Sequence, residues 1–411
     1  LGSYYYISFG PFAYILPYFI FKATGIPVTA AALQIFNLIF HLISCIFIYK
    51  IICNLYNNSS KQVFYPALFA SLVYMYSPAG LWFCCNVYIP EILSQSFVIF
   101  ATYFFIRHHE KSYYSFYLFL ILFITVYTDW IGIFLGTGFI IFLLINKTAS
   151  LNKILWISMG MLLPVCLILF QYSQINGFES LFSTAFSRFV ARSGIDGFYE
   201  NIFYFFLLPA KAMYTYVTGY FPLLIFILFG SFFLFKKNIF NFSRSEKNNL
   251  LILFIPALFF YLFFIEASGH DLFALKGAFF LAVSGGIVFH KMEKIVSPVK
   301  LKLVFVLLLI LSVMQYYYIN PPGNYSLNGF KYDTYKEIGT FIKQQSDTSE
   351  VIILKGMAPL PQLLVYAERN IAPYFDDKSL KDFLLKYGNK KCVVFEVDEN
   401  YNILVMKRLN Y

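Results

Sequence analysis

The chain has 411 residues, of which 59% are hydrophobic and only 13% are charged. Soluble domains carry about 25% charged residues, so this composition excludes a soluble globular protein and predicts an integral membrane protein. The formal net charge is +10, but no basic stripe accompanies it, and nucleic acid is therefore not expected as a partner.

Residues 1–28 are rich in aromatic side chains and are interrupted by Gly10-Pro11 and Leu16-Pro17. These breaks disfavour a clean membrane span. The segment is predicted to be the remainder of an outer loop that lies in the membrane interface. Tyr14 and its neighbours would either line a cavity that grips lipid or sugar, or form an interfacial anchor without a ligand.

Residues 29–320 are predicted to form a transmembrane helical domain, because ten apolar runs there are long enough to cross a bilayer. The fold class is therefore mostly α, a polytopic membrane protein with about ten transmembrane helices, and a long outer loop at 173–210. The runs lie at about 29–53, 63–83, 88–106, 112–128, 130–146, 152–172, 211–235, 249–266, 272–290 and 300–319.

The composition changes after Asn320-Pro321-Pro322-Gly323, and residues 331–411 are predicted to form a small α/β domain. Helices are expected over Asp333–Gln345, Leu363–Arg369 and Ser379–Lys386. Strands are expected at 351–354, 392–396 and 402–406. Their alternation indicates a Rossmann-like sandwich, but no glycine-rich nucleotide motif accompanies it.

The basic residues of the connections give the orientation. Lys and Arg are concentrated in cytoplasmic loops, and one set of alternate connections carries fourteen of them. These are Lys50, Lys61, Arg107, Lys111, Lys147, Lys153, Lys236, Lys237, Arg244, Lys247, Lys291, Lys294, Lys300 and Lys302. The other set, with the C-terminal domain, is therefore predicted to lie outside the cytoplasm, and an enzyme or receptor site is expected on that face.

Two carboxylates of that face are candidate catalytic groups. Asp129 lies in the turn Tyr127-Thr128-Asp129-Trp130, where it would serve as a general base or bind a sugar hydroxyl while Trp130 stacks on the ring. The alternative is a helix N-cap beside an interfacial tryptophan. Glu91 follows Pro90 and would be either a second site carboxylate or a first-turn helix acid.

Three basic residues are candidate ligands of a lipid phosphate. Arg188 and Arg192 are four residues apart in a predicted amphipathic helix and so share one face. A guanidinium pair suits a phosphate, although a helix lying on anionic headgroups would show the same pattern. Lys276 would reach the outer surface by extending along its helix, or would pair with Asp271 or Glu266.

The stretch Ile265–Gly277 places Glu266, His270 and Asp271 between two apolar runs. Charged groups near hydrocarbon usually face a cavity or a partner, so these three are predicted to line the same cavity. The alternative is a short hydrophilic turn between two spans. Their side chains are types that bind a divalent ion, but no HExxH-like spacing is present. We therefore expect no cofactor, with a divalent metal as the alternative.

The layout resembles the GT-C superfamily of polytopic glycosyltransferases, in the protein mannosyltransferase and aminoarabinose-transferase branch. The similar features are Phe9-Gly10-Pro11-Phe12-Ala13-Tyr14 before the second family span, the long outer loop, and Gly269-His270-Asp271 before a late span. Val365-Tyr366-Ala367-Glu368-Arg369 and the pair Asp376–Asp377 in the C-terminal domain are similar too.

The resemblance implies inverting, metal-independent transfer of a sugar from a polyprenyl-phosphate donor to a glycan, lipid or protein acceptor at the outer face. It also implies a plasma-membrane enzyme, or an ER-membrane enzyme in a eukaryote. The chain begins with Leu1, and the family's first span and principal catalytic carboxylate would precede it. The full-length protein would then have about eleven spans.

Two other functions are compatible with the sequence. A transporter, flippase or polysaccharide polymerase would handle a lipid-linked glycan through the same outer groups, although transporters tend to show inverted repeats with broken helices, and neither is evident. The other is a receptor-like membrane scaffold, in which the C-terminal domain would carry the function.

Overall fold

The computed structural model describes residues 10–56, 63–84, 90–107, 113–193, 202–239, 241–265, 274–319, 332–357, 361–369, 371–374, 391–398 and 402–409. The chain divides into two compact units. One is built mainly from residues 36–319 and the other mainly from residues 320–411.

The larger unit is helical in every described part that the sequence predicts to be apolar and spanning. Its helices are α1 (Phe12–Thr24), α2 (Ala30–Leu55), α3 (Phe64–Met75), α4 (Pro78–Cys84), α5 (Pro90–Arg107), α6 (Tyr113–Thr128), α7 (Ile131–Ile145), α8 (Leu151–Ser193), α9 (Ile202–Lys236), α10 (Arg244–Phe263), α11 (Ala274–Met292) and α12 (Pro298–Ile319).

The predicted fold class is confirmed: the chain is a mostly helical, polytopic membrane protein. Within the described residues, five helices are long and apolar enough to span a membrane, and the α3–α4 pair adds a sixth as a span bent by 56°. The bend follows from local chemistry. Pro78 has no N–H to continue α3, and the Ser77 hydroxyl accepts from Gly80 N at 3.0 Å and so caps α4.

Prolines and glycines mark the other irregular points. Residues 1–28 were predicted as an outer loop, and the structure forms a helix within them, α1, that was not predicted. It begins just after Gly10-Pro11 and contains Pro17, and its 13 residues are too few to cross a bilayer. α8 breaks at Gly177, where φ is 77°, a conformation that favours glycine. Residues 178–193 then form a separate helix within the predicted outer loop.

α9 breaks at Tyr220, two residues before Pro222. Pro222 has no N–H to give to the carbonyl of Thr218. Gln315 of α12 replaces that bond, donating its side-chain amide to Thr218 O at 2.8 Å and to Val217 O at 3.2 Å. The Tyr220 hydroxyl donates to Ala274 O at 3.0 Å, so the kink joins α9 to the start of α11.

The far end of α11 carries a buried ion pair. Lys291 Nζ lies 2.9 Å from Glu246 Oε2 of α10, and the two side chains are 7% and 3% exposed. Both carboxylate oxygens of Glu246 accept further hydrogen bonds. Tyr56 donates to Oε1 at 3.0 Å, and Ser243 N donates to Oε2 at 2.7 Å. Lys291 Nζ also donates to Asn241 O. Ser243 and Glu246 thereby form a capping box at the start of α10.

The smaller unit contains the α/β elements expected from the sequence. Helices α13 (Tyr332–Gln345) and α14 (Pro361–Ala367) accompany strands β1 (Val351–Lys355), β2 (Ile371–Pro373), β3 (Cys392–Val397) and β4 (Ile403–Leu409). The strand order is β2-β1-β3-β4. β1 pairs in parallel with β2 and β3, whereas β4 is antiparallel to β3. The predicted helix Ser379–Lys386 lies outside the described residues.

The core of this unit follows the sequence pattern. Ile338 and Ile342 of α13 pack on Ile352, Leu354 and Phe395 of the sheet. β1 and β3 are thus covered by a helix as parallel strands require. The short strand β2 was not predicted, because its Ile-Ala-Pro sequence carries little strand propensity by itself.

We expect Glu246→Gln to lower the thermal stability of the detergent-solubilised protein. The substitution keeps a side chain that can hydrogen-bond Tyr56 but leaves the Lys291 ammonium buried without a carboxylate, which costs about 3 kcal/mol. Intrinsic-fluorescence melting would detect the change as a fall of several degrees in Tm.

Glu293→Gln is the matched control. Glu293 pairs with His290 at 3.3 Å, but the side chains are 27% and 18% exposed, and such pairs contribute about 0–1 kcal/mol. Equal effects of the two substitutions would show that the α10–α11 pair does not stabilise the fold.

Candidate active site

The turn between α6 and α7 positions Asp129. Its backbone N–H continues the hydrogen bonding of α6 by donating to Thr125 O at 2.8 Å. Its Oδ1 atom accepts from Ile131 N at 3.2 Å and so satisfies one of the free N–H groups at the start of α7. The capping role proposed as an alternative is therefore present, but it uses only one of the two carboxylate oxygens.

The second carboxylate oxygen of Asp129 contacts side chains from two other helices. Oδ2 accepts a hydrogen bond from the Ser94 hydroxyl of α5 at 2.8 Å and forms a short ion pair with Lys276 Nζ of α11. The Lys276 and Asp129 side chains are 5% and 8% exposed. Taking two charges out of water costs several kcal/mol each, so the pair and its serine define a desolvated polar site between apolar helices.

Lys276 lies in the first turn of α11, where the helix dipole disfavours a cation. Asp129 compensates that charge, and the Phe260 ring lies 5.6 Å from the ammonium. Lys276 therefore pairs with Asp129. The alternative partners considered from the sequence, Glu266 and Asp271, lie outside the described residues together with His270, so the pairing with them and the metal alternative stay predictions.

Glu91 brings a second carboxylate to this site. It lies in the first turn of α5 and is buried. The charges of Lys276, Asp129 and Arg192 all act on it. Lys276 thus pairs with Asp129 and also acts electrostatically on Glu91, and Arg192 adds a second positive charge that acts on Glu91.

α5 contributes two polar side chains that the sequence reasoning missed. Ser94 and Gln95 follow Glu91 at helical spacings of three and four residues, which places all three on neighbouring parts of one face. Gln95 is 1% exposed, and both polar atoms of its side-chain amide are buried without a hydrogen-bond partner in the described part of the chain. The sequence signal that could have identified Ser94 and Gln95 is their helical spacing from Glu91 within an apolar run.

The segment that precedes α1 packs against the Asp129 turn. Gly10 N donates to Thr128 O at 2.8 Å, and a Cβ atom on Gly10 would lie 2.1 Å from Tyr127 O. Only glycine permits this approach. The Phe12 ring lies 6.1 Å from Tyr127 and 6.0 Å from Phe97. Tyr14, 45% exposed, follows on the same short helix.

Trp130 is half-buried and packs beside Tyr127, Ile168 and Tyr172. The Tyr127 hydroxyl donates to Gln171 Oε1 at 2.8 Å. This cluster joins the Asp129 turn to α8, so Trp130 has a packing role whether or not it also contacts a sugar ring.

Arg188 and Arg192 lie on the second part of α8, as predicted, and their spacing of four residues places them on one face of that helix. Arg192 is half-buried, and its charge reaches Glu91. The side chain of Arg188 is not among those described. The helix is anchored by Phe189, whose ring lies 6.0 Å from Phe264 at the end of α10.

The space beneath the ion pair is small. Lys276, Phe260, Ile131 and Thr102 contribute to a cavity of about 30 Å³, which is about the volume of one water molecule. A sugar does not fit there. In the described residues no three His, Cys, Asp or Glu side chains lie close enough together to hold a metal ion.

Chemically, the site combines the two groups that displacement at a phosphate-linked carbon requires. A desolvated carboxylate can accept a proton from a hydroxyl group, and ammonium and guanidinium groups can stabilise the departing phosphate. The sequence suggested these groups separately. The fold brings together Asp129 and Lys276, 147 residues apart in the chain.

No protein-family model matches this chain, and no curated protein matches it in sequence. Its structure is similar to the crystal structure of ArnT from Cupriavidus metallidurans bound to undecaprenyl phosphate. The two share 12% identity with a TM-score of 0.63, over 97% of this chain and 85% of ArnT. The two proteins therefore share a fold.

Proposed function

We propose that this protein is a GT-C membrane glycosyltransferase that moves a sugar from a polyprenyl-phosphate donor to an acceptor hydroxyl at the outer membrane face. The observation that carries the proposal is the buried group of Asp129, Lys276, Ser94 and Glu91, with the Arg192 charge nearby. It occurs in a fold shared with a protein whose crystal structure contains undecaprenyl phosphate.

Lys276 and Arg192 would bind the donor phosphate. Lys276 is paired with Asp129. A phosphate that enters beside it would compete with Asp129 for the ammonium group, and the released carboxylate would be free to accept a proton from the acceptor hydroxyl. Donor binding would in this way prepare the base. Arg188, on the same face of α8, would add a second guanidinium group.

The transfer would then proceed as a single displacement. The acceptor hydroxyl loses its proton to Asp129 or Glu91, and its oxygen attacks the anomeric carbon. The bond from that carbon to the phosphate oxygen breaks, and the phosphate leaves with the electron pair, held by Lys276 and Arg192. A single displacement inverts the anomeric configuration. No metal ion is required in this scheme.

The proposed side of the membrane follows from charge. The fourteen basic residues of one set of connections predict that their end of the helices is cytoplasmic. Asp129 and the start of α11 lie at the other end, which would be extracytoplasmic, in the plasma membrane or the ER lumen. The C-terminal α/β unit, 331–411, would lie on that face too.

We expect Asp129→Asn to reduce transfer from a radiolabelled polyprenyl-phosphate sugar to extracted acceptors by at least about 100-fold, the scale of a lost general base. Asparagine keeps the shape and the Ser94 contact but accepts no proton. Transfer by the unsubstituted enzyme should persist in EDTA.

The double variant Asp129→Asn/Lys276→Met separates catalysis from structure. It removes both charges together, so the fold should melt close to the unsubstituted protein, yet transfer should remain absent. Recovery of transfer in this variant would assign the pair a structural role only.

Movement of the lipid-linked sugar across the bilayer by the unsubstituted protein, without bond cleavage, would instead identify a flippase.

Arg192→Ala and Arg188→Ala should each weaken donor binding about tenfold without unfolding the protein, because each removes one charge-assisted contact to phosphate. Binding of polyprenyl-phosphate sugar to the purified protein would be measured by microscale thermophoresis. Lys153→Ala, at the opposite end of α8, is the control. Donor affinity that remains unchanged in both arginine variants would remove α8 from the site.

A further inference from the structure

A second, larger cavity lies near the lysine-rich end of the helices. Its volume is about 570 Å³, within the range of ligand-binding cavities. It is formed between α9, α10 and α11 by mostly apolar side chains such as Leu250, Phe254, Phe280 and Ile287. Ser284 and Lys247 also line it. An apolar cleft of this size within the membrane region accommodates a hydrocarbon chain.

The charge at its opening is positive and uncompensated. Lys247 lies in the first turn of α10 and is exposed. It makes no ion pair within the described residues. The adjacent acid, Glu246, is fully engaged by Lys291, Tyr56 and Ser243. Arg244 is exposed at the same end. The opening of the cavity therefore carries positive charge, which attracts anionic lipid headgroups.

We propose that this cleft is a binding site for one anionic diacyl phospholipid. The phosphate contacts Lys247, and an acyl chain occupies the apolar cavity. The net negative charge distinguishes the ligand from a zwitterionic lipid, whose own cation would oppose Lys247 and Arg244. The site is separate from Asp129 and does not depend on the proposed transfer reaction.

The test is native mass spectrometry of the full chain released from nanodiscs that contain phosphatidylcholine and phosphatidylglycerol in equal amounts. The protein should retain one phosphatidylglycerol in preference to phosphatidylcholine. Lys247→Ala should lower that preference about fivefold, the scale of one basic residue at an anionic surface. Lys300→Ala is the matched control, because Lys300 is an exposed lysine in the first turn of α12, and should leave the preference unchanged.

A second pair of variants tests the cavity itself. Ser284→Phe fills the cleft and should reduce retention of both lipids. Leu251→Trp fills the cleft from the α10 side. Leu251 is 38% exposed, so this position tolerates a larger ring, and the variant replaces Ser284→Phe if that one does not fold.

Equal retention of the two lipids by the unsubstituted protein would overturn the proposal. The same conclusion follows if Lys247→Ala behaves as Lys300→Ala does, or if Leu251→Trp retains lipid normally. Displacement of phosphatidylglycerol by a polyprenyl phosphate with no effect of Lys247→Ala would assign the cleft to the isoprenoid tail and would also overturn it.

Discussion

A buried lysine–carboxylate pair holds α11 at each of its ends. Lys276 pairs with Asp129 of the α6–α7 turn, and Lys291 pairs with Glu246 of α10. The two lysines are about 22 Å apart along the helix axis at 1.5 Å per residue. A charge in hydrocarbon is costly unless it is paired. The two pairs therefore fix both the depth and the rotation of α11 relative to its neighbours.

Small residues between the two lysines allow the neighbouring helices to approach closely. A Cβ on Gly286 would lie 3.0 Å from Ala70 Cβ of α3, and one on Gly277 would lie 2.4 Å from the Tyr216 hydroxyl of α9. Helices in membranes pack through such small residues because lipid gives them no hydrophobic driving force to associate. The same packing directs Lys276 to Asp129 and leaves Ser284 in the apolar cleft.

The sequence predicts those features that depend on local pattern. Hydropathy located the ten apolar helices, and the alternation of elements located the α/β unit, because both are encoded by neighbouring residues. Asp129, Glu91, Arg192 and Lys276 were identified as candidates since a charge within an apolar run is conspicuous. Their assembly was not predictable, because the spacing of Asp129 and Lys276 along the chain says nothing about their distance in space.

Features that depend on a tertiary partner were missed for the same reason. Pro222 indicates a break in α9, but nothing local shows that Gln315 satisfies the freed carbonyl group. In the sequence Ser94 cannot be distinguished from any other helix serine, because only the fold places Asp129 beside it. Nothing in the sequence near Lys276 indicated that Asp129, from the turn between two other helices, would be its partner.

The two ion pairs of α11 differ in their surroundings. Around Glu246 and Lys291 the polar groups satisfy one another through Tyr56, Ser243 and Asn241. At the other end of the helix Lys276 pairs with Asp129, and its charge also acts on a second buried carboxylate, Glu91. The first pair is a complete hydrogen-bonded network that stabilises the packing of α10 on α11, whereas the second places one ammonium group between two carboxylates in a site where burial makes every charge costly.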